Sequence, residues 1–258
     1  MWIKICGVTR TEDAAAVADS GADAIGFNFY SNSKRYVSIP TACALADAAR
    51  RSSTDAPCID LVGVFVNAEP DAVRMAVHEV GLNAIQVHGN ETAEHIAAIH
   101  RLCPDIPIVR AIRVNANEVE RTLNDLDLLS AAVSLNAILL DTFVPGEFGG
   151  TGVTLNHSIL ERCAQHLNRP LILAGGLTSQ NVALAIDRLK IWGIDTASGV
   201  ESAPGIKDST RILEFVRSAR AATLSSDGRS DSVRISELSL KPTNPQIAAP
   251  YVKRTIKR

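Results

Sequence analysis

The 258-residue sequence predicts an α/β fold, a single-domain (βα)8 TIM barrel followed by a C-terminal tail. Three observations favour this fold. Short apolar runs alternate with longer Ala- and Leu-rich stretches, and eight such pairs follow one another along the chain. The apolar runs contain few polar residues, as expected of parallel strands that are covered on both faces. The pairs occupy roughly 220 residues, close to the usual size of such a barrel.

The predicted strands are the short apolar runs. In order, they are Trp2–Cys6, Ala24–Phe29, Leu61–Val66, Ala84–Val87, Ile108–Ile112, Ala137–Asp141, Leu171–Ala174 and Asp195–Ala197. A helix follows each strand, so the strands are expected to be parallel and joined by right-handed crossovers.

The helical stretches between the strands carry helix-start signals. Glu12 and Asp13 place acidic groups in the first turn of the first helix, where the positive end of the helix dipole favours them. Pro40 and Pro70 suit first-turn positions. The predicted helices are Glu12–Asp19, Thr41–Arg50, Asp71–Glu79, Thr92–Leu102, Glu118–Leu128, Ser158–His166, Ser179–Leu189 and Ser209–Ala219.

A doubly wound open sheet is the main structural alternative. That architecture normally has five or six strands and often carries a GxGxxG turn after the first one. The sequence has eight strand–helix pairs and no such motif after its first strand, so the closed barrel is favoured.

The composition excludes several functional classes. Hydrophobic residues make up 46% of the chain and charged residues 21%, which is typical of a folded globular protein. The net charge of −2 provides no general attraction to nucleic acid or to anionic membranes. No apolar run reaches the roughly 18 residues of a membrane-spanning helix, and the N-terminus does not resemble a secretory signal. We therefore expect a cytoplasmic protein that binds neither nucleic acid nor membrane.

The five cysteines do not form a recognisable framework. Their number is odd and none belongs to a CxxC pair, which argues against structural disulfides and against a zinc site. We expect no metal.

The barrel pattern ends near residue 221. Residues 222–258 are polar, and the segment after Ala222 has the composition of a linker. The sequence thus predicts a catalytic barrel over 1–221 and a disordered extension over 222–258. Basic residues near the end of the tail are interpreted as solvated charges rather than as a binding site.

Two residues are the leading candidates for catalysis, because active sites of such barrels lie at the carboxyl ends of the strands. Cys6 ends the first strand; it is either a buried thiol or a nucleophile or base. Asp141 ends the sixth strand and precedes a glycine-rich segment, 142–152, typical of a loop over a ligand. A cap of a loop or helix is the alternative for this aspartate.

Glycines after the last two strands favour a phosphorylated ligand. Gly175 and Gly176 follow the seventh strand, and Ser198 and Gly199 follow the eighth. Glycine lets backbone N–H groups approach an anion, and the loops after these two strands commonly bind phosphate in such barrels.

Other polar residues near strand ends are candidates for substrate binding. Arg35 lies in the loop after the second strand and His88 follows the fourth. Asp195, in the eighth strand, either binds a hydroxyl group or caps a loop. Arg110 and Arg113 flank the end of the fifth strand, and the spacing leaves open which of them faces the site.

Nine short motifs occur in an order and spacing that resemble the phosphoribosylanthranilate isomerase family of tryptophan biosynthesis. They are KICG (4–7), GFNF (26–29), SKRYVS (33–38), VGVFV (62–66), QVHG (86–89), LLDT (139–142), GGTG (149–152), LAGGL (173–177) and SGVE (198–201). The resemblance runs from Lys4 to about Arg217 and covers nearly all of the predicted barrel.

The resemblance implies an aldose–ketose isomerase that needs no cofactor. Its reaction would be the Amadori rearrangement of N-(5-phosphoribosyl)anthranilate to 1-(2-carboxyphenylamino)-1-deoxyribulose 5-phosphate. Cys6 would be the general base and Asp141 the general acid, which must start protonated to open the furanose ring. Arg35 would contact the anthranilate part, and the glycines and Ser198 would hold the phosphate.

Two alternatives to this function stay open. One is the related isomerase of histidine biosynthesis, although an aspartate at the end of strand one is typical of that enzyme and Cys6 stands there instead. The other is a barrel that binds a phosphorylated ligand without converting it. The chain is expected to be a monomer or a homodimer, and the sequence does not decide between them.

Overall fold

A computed structural model describes residues 1–52, 59–114, 119–141, 162–163, 169–189, 191–227 and 234–238. Eight parallel strands form a closed barrel in chain order, with β1 hydrogen-bonded to both β2 and β8. The strands are β1 Trp2–Cys6, β2 Ala24–Asn28, β3 Asp60–Phe65, β4 Ala84–Val87, β5 Ile108–Arg113, β6 Ala137–Asp141, β7 Leu171–Ala174 and β8 Gly193–Thr196. The predicted TIM-barrel fold is confirmed.

Helices alternate with the strands. They are α1 Thr11–Asp19, α2 Ile39–Ser52, α3 Pro70–Val80, α4 Ala93–Leu102, α5 Val119–Ala132, α6 Val182–Arg188 and α7 Ser209–Asp227. Pro70 occupies the start of α3, as predicted, and Gly81 ends that helix in a left-handed conformation with φ 71°. The helix predicted over 158–166 lies outside the described residues apart from 162 and 163, which are helical. The glycine-rich segment 142–152 also lies outside them.

The eighth strand begins earlier than the sequence pattern predicts. It starts at Gly193 rather than Asp195, and Gly193 pairs with Trp2 of β1 and Ile172 of β7. A Cβ atom at residue 193 would lie 2.9 Å from Cε3 of Trp2, so a glycine is needed for the strands to close. Glycine is a poor strand former, and the local pattern therefore missed this residue.

Two apolar layers stabilise the barrel. The outer layer packs aliphatic side chains of the strands against the helices, for example Ile25 and Phe27 against α1 and α2 residues such as Val17 and Leu45. The inner layer fills the barrel with alternate residues of β1 to β7, namely Trp2, Ala24, Val62, Ala84, Val109, Ala111, Ala137, Leu139, Ile172 and Ala174. The strands supply these inner residues at every second position, as the period of a β-strand requires.

A short segment near the C-terminus closes the amino-terminal end of the barrel. This C-terminal strap, residues 234–238, places Ile235 in the inner apolar layer with no exposed surface. The Ile235 N–H donates to Asp60 Oδ2 at 3.2 Å, and Asn136 Nδ2 donates to the Leu238 carbonyl at 2.8 Å. Burial raises the pKa of Asp60, and the hydrogen bond from Ile235 opposes that shift.

The described parts of the tail are ordered, which differs from the predicted disorder. The sequence predicts disorder from 222, whereas residues 222–227 continue α7 and residues 234–238 pack against the barrel. The polar composition of the tail does not predict this packing, because a single residue, Ile235, holds residues 234–238 against a part of the barrel that is distant in sequence. The division of the chain at 221 stays a prediction. In the part of the chain described above, no helix is long and apolar enough to cross a bilayer.

Candidate active site

The carboxyl ends of the strands bring the two predicted catalytic residues to one end of the barrel. Cys6 is the last residue of β1 and Asp141 the last of β6. His88, which follows β4, places Nε2 3.5 Å from Asp141 Oδ2, and both side chains are about one-fifth exposed, at 19% each. The structure thus joins His88 to Asp141, two residues that the sequence treats separately.

The Cys6 side chain has room because its neighbour in β2 is a glycine. Gly26 lies opposite Cys6 in the parallel ladder, and a Cβ atom at residue 26 would come within 2.7 Å of the Cys6 sulfur. A larger residue at position 26 would therefore displace the Cys6 thiol. Burial raises the pKa of the Cys6 thiol, while the positive charges of Lys4 and Lys207 oppose the increase.

An ion pair lies in the barrel interior beside Cys6. Lys4 Nζ donates to Asp195 Oδ2 at 2.8 Å, and the two side chains are 1% and 8% exposed. Burial raises the pKa of Asp195, the Lys4 ammonium opposes this, and the Asp141 carboxylate adds to it. The predicted site residue Asp195 is therefore held by Lys4, a residue for which the sequence pattern predicts no role of its own.

Arg35 is anchored by a carboxylate from the end of the barrel sequence. Its Nε and a terminal nitrogen donate to the two oxygens of Glu201 at 2.7 and 2.6 Å. Lys207 Nζ donates to the same carboxylate at 2.9 Å and also to the carbonyls of Cys6 and Ala197. The sequence pattern does not indicate these contacts of Glu201 and Lys207, because Arg35 and Cys6 are distant from them in sequence.

The loop after β1 packs closely on Arg35. Gly7 has φ 72°, and a Cβ atom there would lie 2.3 Å from Cδ of Arg35. The left-handed conformation and the close contact both require glycine at this position. The KICG motif therefore positions Arg35 as well as Cys6.

The predicted phosphate loops are adjacent to each other. Gly175 and Gly176 have φ values of 93° and 66°, which favour glycine. A Cβ atom at Gly199 would lie 1.8 Å from the carbonyl oxygen of Leu177, so the loop after β8 lies directly on the loop after β7. Thr196 Oγ1 donates to the same carbonyl at 2.7 Å. The loops that follow β7 and β8 thus form one unit, with Ser198 exposed at its surface.

The alternation of side chains along β5 shows which of its two arginines faces the site. Arg110 points outward, where it donates to Glu91 and, at 2.9 Å, to the Gly89 carbonyl. Arg113 shares the face of Val109 and Ala111, which line the barrel interior, and it pairs in register with Asp141. Arg113 is exposed, and therefore lies at the mouth beside the candidate acid.

The described side chains include no group of three or more His, Cys, Asp and Glu residues arranged to hold a metal ion. The polar groups at the mouth are instead paired charges and hydrogen-bonding groups, which suit proton transfer and the binding of an anionic ligand.

Comparison with known proteins shows the family of the chain. A family model described as N-(5'-phosphoribosyl)anthranilate (PRA) isomerase matches residues 3–218. The chain belongs to this family. Membership makes it a phosphoribosylanthranilate isomerase of tryptophan biosynthesis, which confirms the function predicted from the nine motifs.

Individual relatives support the same assignment. An N-(5'-phosphoribosyl)anthranilate isomerase of Myxococcus xanthus is 41% identical over 223 residues, which cover 86% of this chain and 97% of the relative. The N-(5'-phosphoribosyl)anthranilate isomerase of Cellvibrio japonicus is 39% identical over 234 residues, which cover 90% of this chain and 99% of the relative.

Solved structures of phosphoribosylanthranilate isomerases have the same fold. The crystal structure from Thermotoga maritima has a TM-score of 0.69 and 39% identity, and covers 86% of this chain and 99% of that one. A second crystal structure, with a TM-score of 0.67, 37% identity and the same two coverages, contains reduced 1-(o-carboxyphenylamino)-1-deoxyribulose 5-phosphate. The isomerase barrel thus accounts for nearly the full length of its relatives, whereas the strap lies beyond the family match.

Proposed function

We propose that this isomerase carries out the Amadori rearrangement with Asp141 as general acid and Cys6 as general base. The observation that carries the proposal is the placement of these two residues at the ends of β1 and β6, separated on one side by β7 and β8. An acid and a base at separate points of one mouth can act on two different atoms of a bound sugar.

The reaction begins with a proton from Asp141. The acid protonates the furanose ring oxygen of phosphoribosylanthranilate as the bond from C1 to that oxygen breaks. The lone pair of the anthranilate nitrogen forms a C=N bond to C1, which gives an iminium. His88, whose Nε2 lies 3.5 Å from Asp141 Oδ2, is proposed to orient the carboxyl group for this step.

Cys6 completes the rearrangement. As a thiolate it removes the proton from C2, which the iminium has made acidic, and the electron pair forms a C1=C2 bond. The resulting enolamine has a hydroxyl on C2. Loss of that hydroxyl proton and protonation of C1 give the ketone product. General acid and general base catalysis each contribute roughly 10²–10⁴-fold in such reactions.

The other site residues bind the substrate. Asp195 Oδ1 is buried and has no hydrogen-bond partner among the described residues, so it is available to a sugar hydroxyl. The backbone at Gly175, Gly176, Ser198 and Gly199 is proposed to hold the phosphate. Arg35 would contact the anthranilate part, in the position that Glu201 imposes on it.

The proposal also covers the cellular location and the oligomeric state of the enzyme. A cytoplasmic location agrees with a biosynthetic pathway that uses phosphorylated intermediates. A relative from Thermotoga maritima is described as a dimeric isomerase with mutually generated monomers. For this chain a monomer or a homodimer is proposed, and sedimentation of the purified protein distinguishes them.

A fluorescence assay tests the proposed roles. A phosphoribosyltransferase generates phosphoribosylanthranilate in place from anthranilate and phosphoribosyl pyrophosphate, with release of pyrophosphate, and the loss of this substrate is followed after adding the isomerase. Turnover that disappears in Asp141→Asn supports the proposal. Full turnover by that variant contradicts the role of Asp141. Turnover only of the aminoaldose substrate of histidine biosynthesis, or of neither substrate by folded protein, would reject the proposed reaction.

A further inference from the structure

The charge that faces the proposed base comes from a lysine inside the barrel. Lys4 and Cys6 are two residues apart in β1 and share its inner face. The Lys4 side chain is 1% exposed and pairs with Asp195 at 2.8 Å. A buried ammonium is costly unless paired, and an aliphatic residue would fill this inner layer without that cost. The position of Lys4 therefore needs an explanation beyond packing.

Four charged groups act on Cys6 from the elements around it. Lys4 lies on the same strand, Asp195 on β8, Lys207 on the short strand Ile206–Lys207 and Arg35 in the loop after β2. Lys4 and Lys207 favour the thiolate, whereas Asp195 and burial oppose it. Of the two lysines, Lys4 shares the inner face of β1 with Cys6.

Lys207 is committed to other partners. Its ammonium donates to the Cys6 carbonyl at 2.7 Å, the Ala197 carbonyl at 2.9 Å and Glu201 Oε1 at 2.9 Å. These three bonds use its three protons. Lys4 has a hydrogen bond to Asp195 and retains protons that can face the sulfur.

We propose that Lys4 is a positioning residue for the general base: its buried ammonium, held by Asp195, stabilises the Cys6 thiolate that removes the C2 proton. The proposal rests on the role proposed above for Cys6. Asp195 determines how strongly Lys4 stabilises the Cys6 thiolate, because the Asp195 carboxylate both holds the Lys4 ammonium in place and partly cancels the charge of that ammonium. Lys4 and Asp195 therefore act on Cys6 in opposite directions.

The test measures the reactivity of Cys6 rather than turnover. Iodoacetamide alkylates thiolates, and peptide mass mapping resolves Cys6 from the other cysteines. The alkylation rate is measured against pH in the wild-type enzyme and in Lys4→Met, Asp195→Asn and Lys34→Met. Lys34 is an exposed lysine near the mouth and provides the matched control.

We expect Lys4→Met to move the alkylation midpoint upward by about one pH unit, which makes Cys6 roughly 10-fold less reactive at neutral pH. Asp195→Asn should move the midpoint downward, and Lys34→Met should leave it unchanged. In turnover, Lys4→Met should shift the acidic limb of kcat/KM by the same amount as the alkylation midpoint. A midpoint for Lys4→Met equal to that of the wild type would overturn the proposal.

A double variant keeps the test valid if Lys4→Met does not fold. That single change leaves the Asp195 carboxylate buried without a cation. Lys4→Met in the Asp195→Asn background removes both charges, and its midpoint should lie above that of Asp195→Asn alone. Equal midpoints for these two proteins would reject the role of Lys4.

The outcomes separate this inference from the proposed function. Shifted alkylation midpoints in an enzyme that does not convert phosphoribosylanthranilate would reject the proposed reaction and retain the coupling of Lys4 to Cys6. Unchanged midpoints in an enzyme that does convert it would reject the role of Lys4 alone.

Discussion

Arg35 and Glu201 form a bidentate ion pair that joins the loop after β2 to the segment that follows β8. The two hydrogen bonds measure 2.7 and 2.6 Å, and the Glu201 side chain is only 5% exposed. This geometry fixes the plane of the guanidinium, because two parallel bonds prevent its rotation. The site therefore presents Arg35 in an orientation that a residue distant in sequence determines.

The first prediction concerns this pair. Arg35→Ala should raise KM for phosphoribosylanthranilate by roughly 10-fold, because a charged hydrogen-bonding group is lost. Glu201→Gln should have a similar effect through misplacement of Arg35. Steady-state kinetics of both variants and of the double variant test this. A double variant whose loss equals the sum of the single losses in free energy would contradict the dependence of Arg35 on Glu201.

The second prediction concerns the acid and the base. Asp141→Asn and Cys6→Ser should each lower kcat by roughly 10²–10⁴-fold, since each removes a group that transfers a proton. Cys43→Ser, at a partly exposed thiol on α2, is the matched control and should retain wild-type kcat. Complementation of a tryptophan auxotroph and purified kinetics both measure the effect. Growth equal to the parent with either active-site variant argues against its role.

The third prediction separates the two arginines of β5. Arg113→Ala should leave the free energy of unfolding unchanged and raise KM by about 2- to 10-fold, because a cation at the mouth attracts an anionic substrate. Arg110→Ala should instead destabilise the fold by about 3–5 kcal/mol, since Glu91 is 1% exposed and loses its cation. Urea unfolding and kinetics of both variants distinguish these roles. Equal behaviour of the two would contradict the assignment.

The fourth prediction concerns the C-terminal strap. Ile235→Asp should lower Tm by roughly 5–10 °C, because a charge cannot occupy the apolar end of the barrel. Leu224→Asp is the matched control, because Leu224 is 64% exposed on α7 and should tolerate the change. Turnover at 25 °C should be unaffected, since the strap lies at the end opposite the site. A Tm for Ile235→Asp equal to that of Leu224→Asp would show that the strap does not stabilise the barrel.

The fifth prediction concerns pH. Burial acts to raise the pKa of Glu201, but Arg35 and Lys207 outweigh it, so its pKa is lowered in the folded protein. A carboxyl group with a lowered pKa stabilises the fold above its ordinary value of 4.5, and this contribution is lost as pH falls through the lower folded value. Glu201→Gln should therefore reduce the loss of stability below pH 4.5. Unfolding curves at several acidic pH values measure the free energy of unfolding of the wild type and of Glu201→Gln. An identical pH dependence of that free energy in the two proteins would contradict the prediction.

Local patterns were sufficient to predict the strand ends that carry the site. Cys6, His88, Asp141 and the glycines after β7 lie where the chain changes from an apolar run to a loop, and parallel strands bring such ends together. The same reasoning placed the eighth strand two residues late, because Gly193 has no apolar side chain to mark it. It also left Arg110 and Arg113 undecided until the pairing register was known.

The sequence by itself determined the (βα)8 fold, the isomerase family and the position of the predicted acid and base, because all of these depend on periodicity and short motifs. Only the tertiary structure decided which charges meet. Lys4 pairs with Asp195, Arg35 with Glu201, and Ile235 docks beside Asp60, each across more than half of the chain. Closure of the barrel brings these residues together, and the stability of a charge pair or a docked side chain depends on that distant partner rather than on its neighbours in sequence.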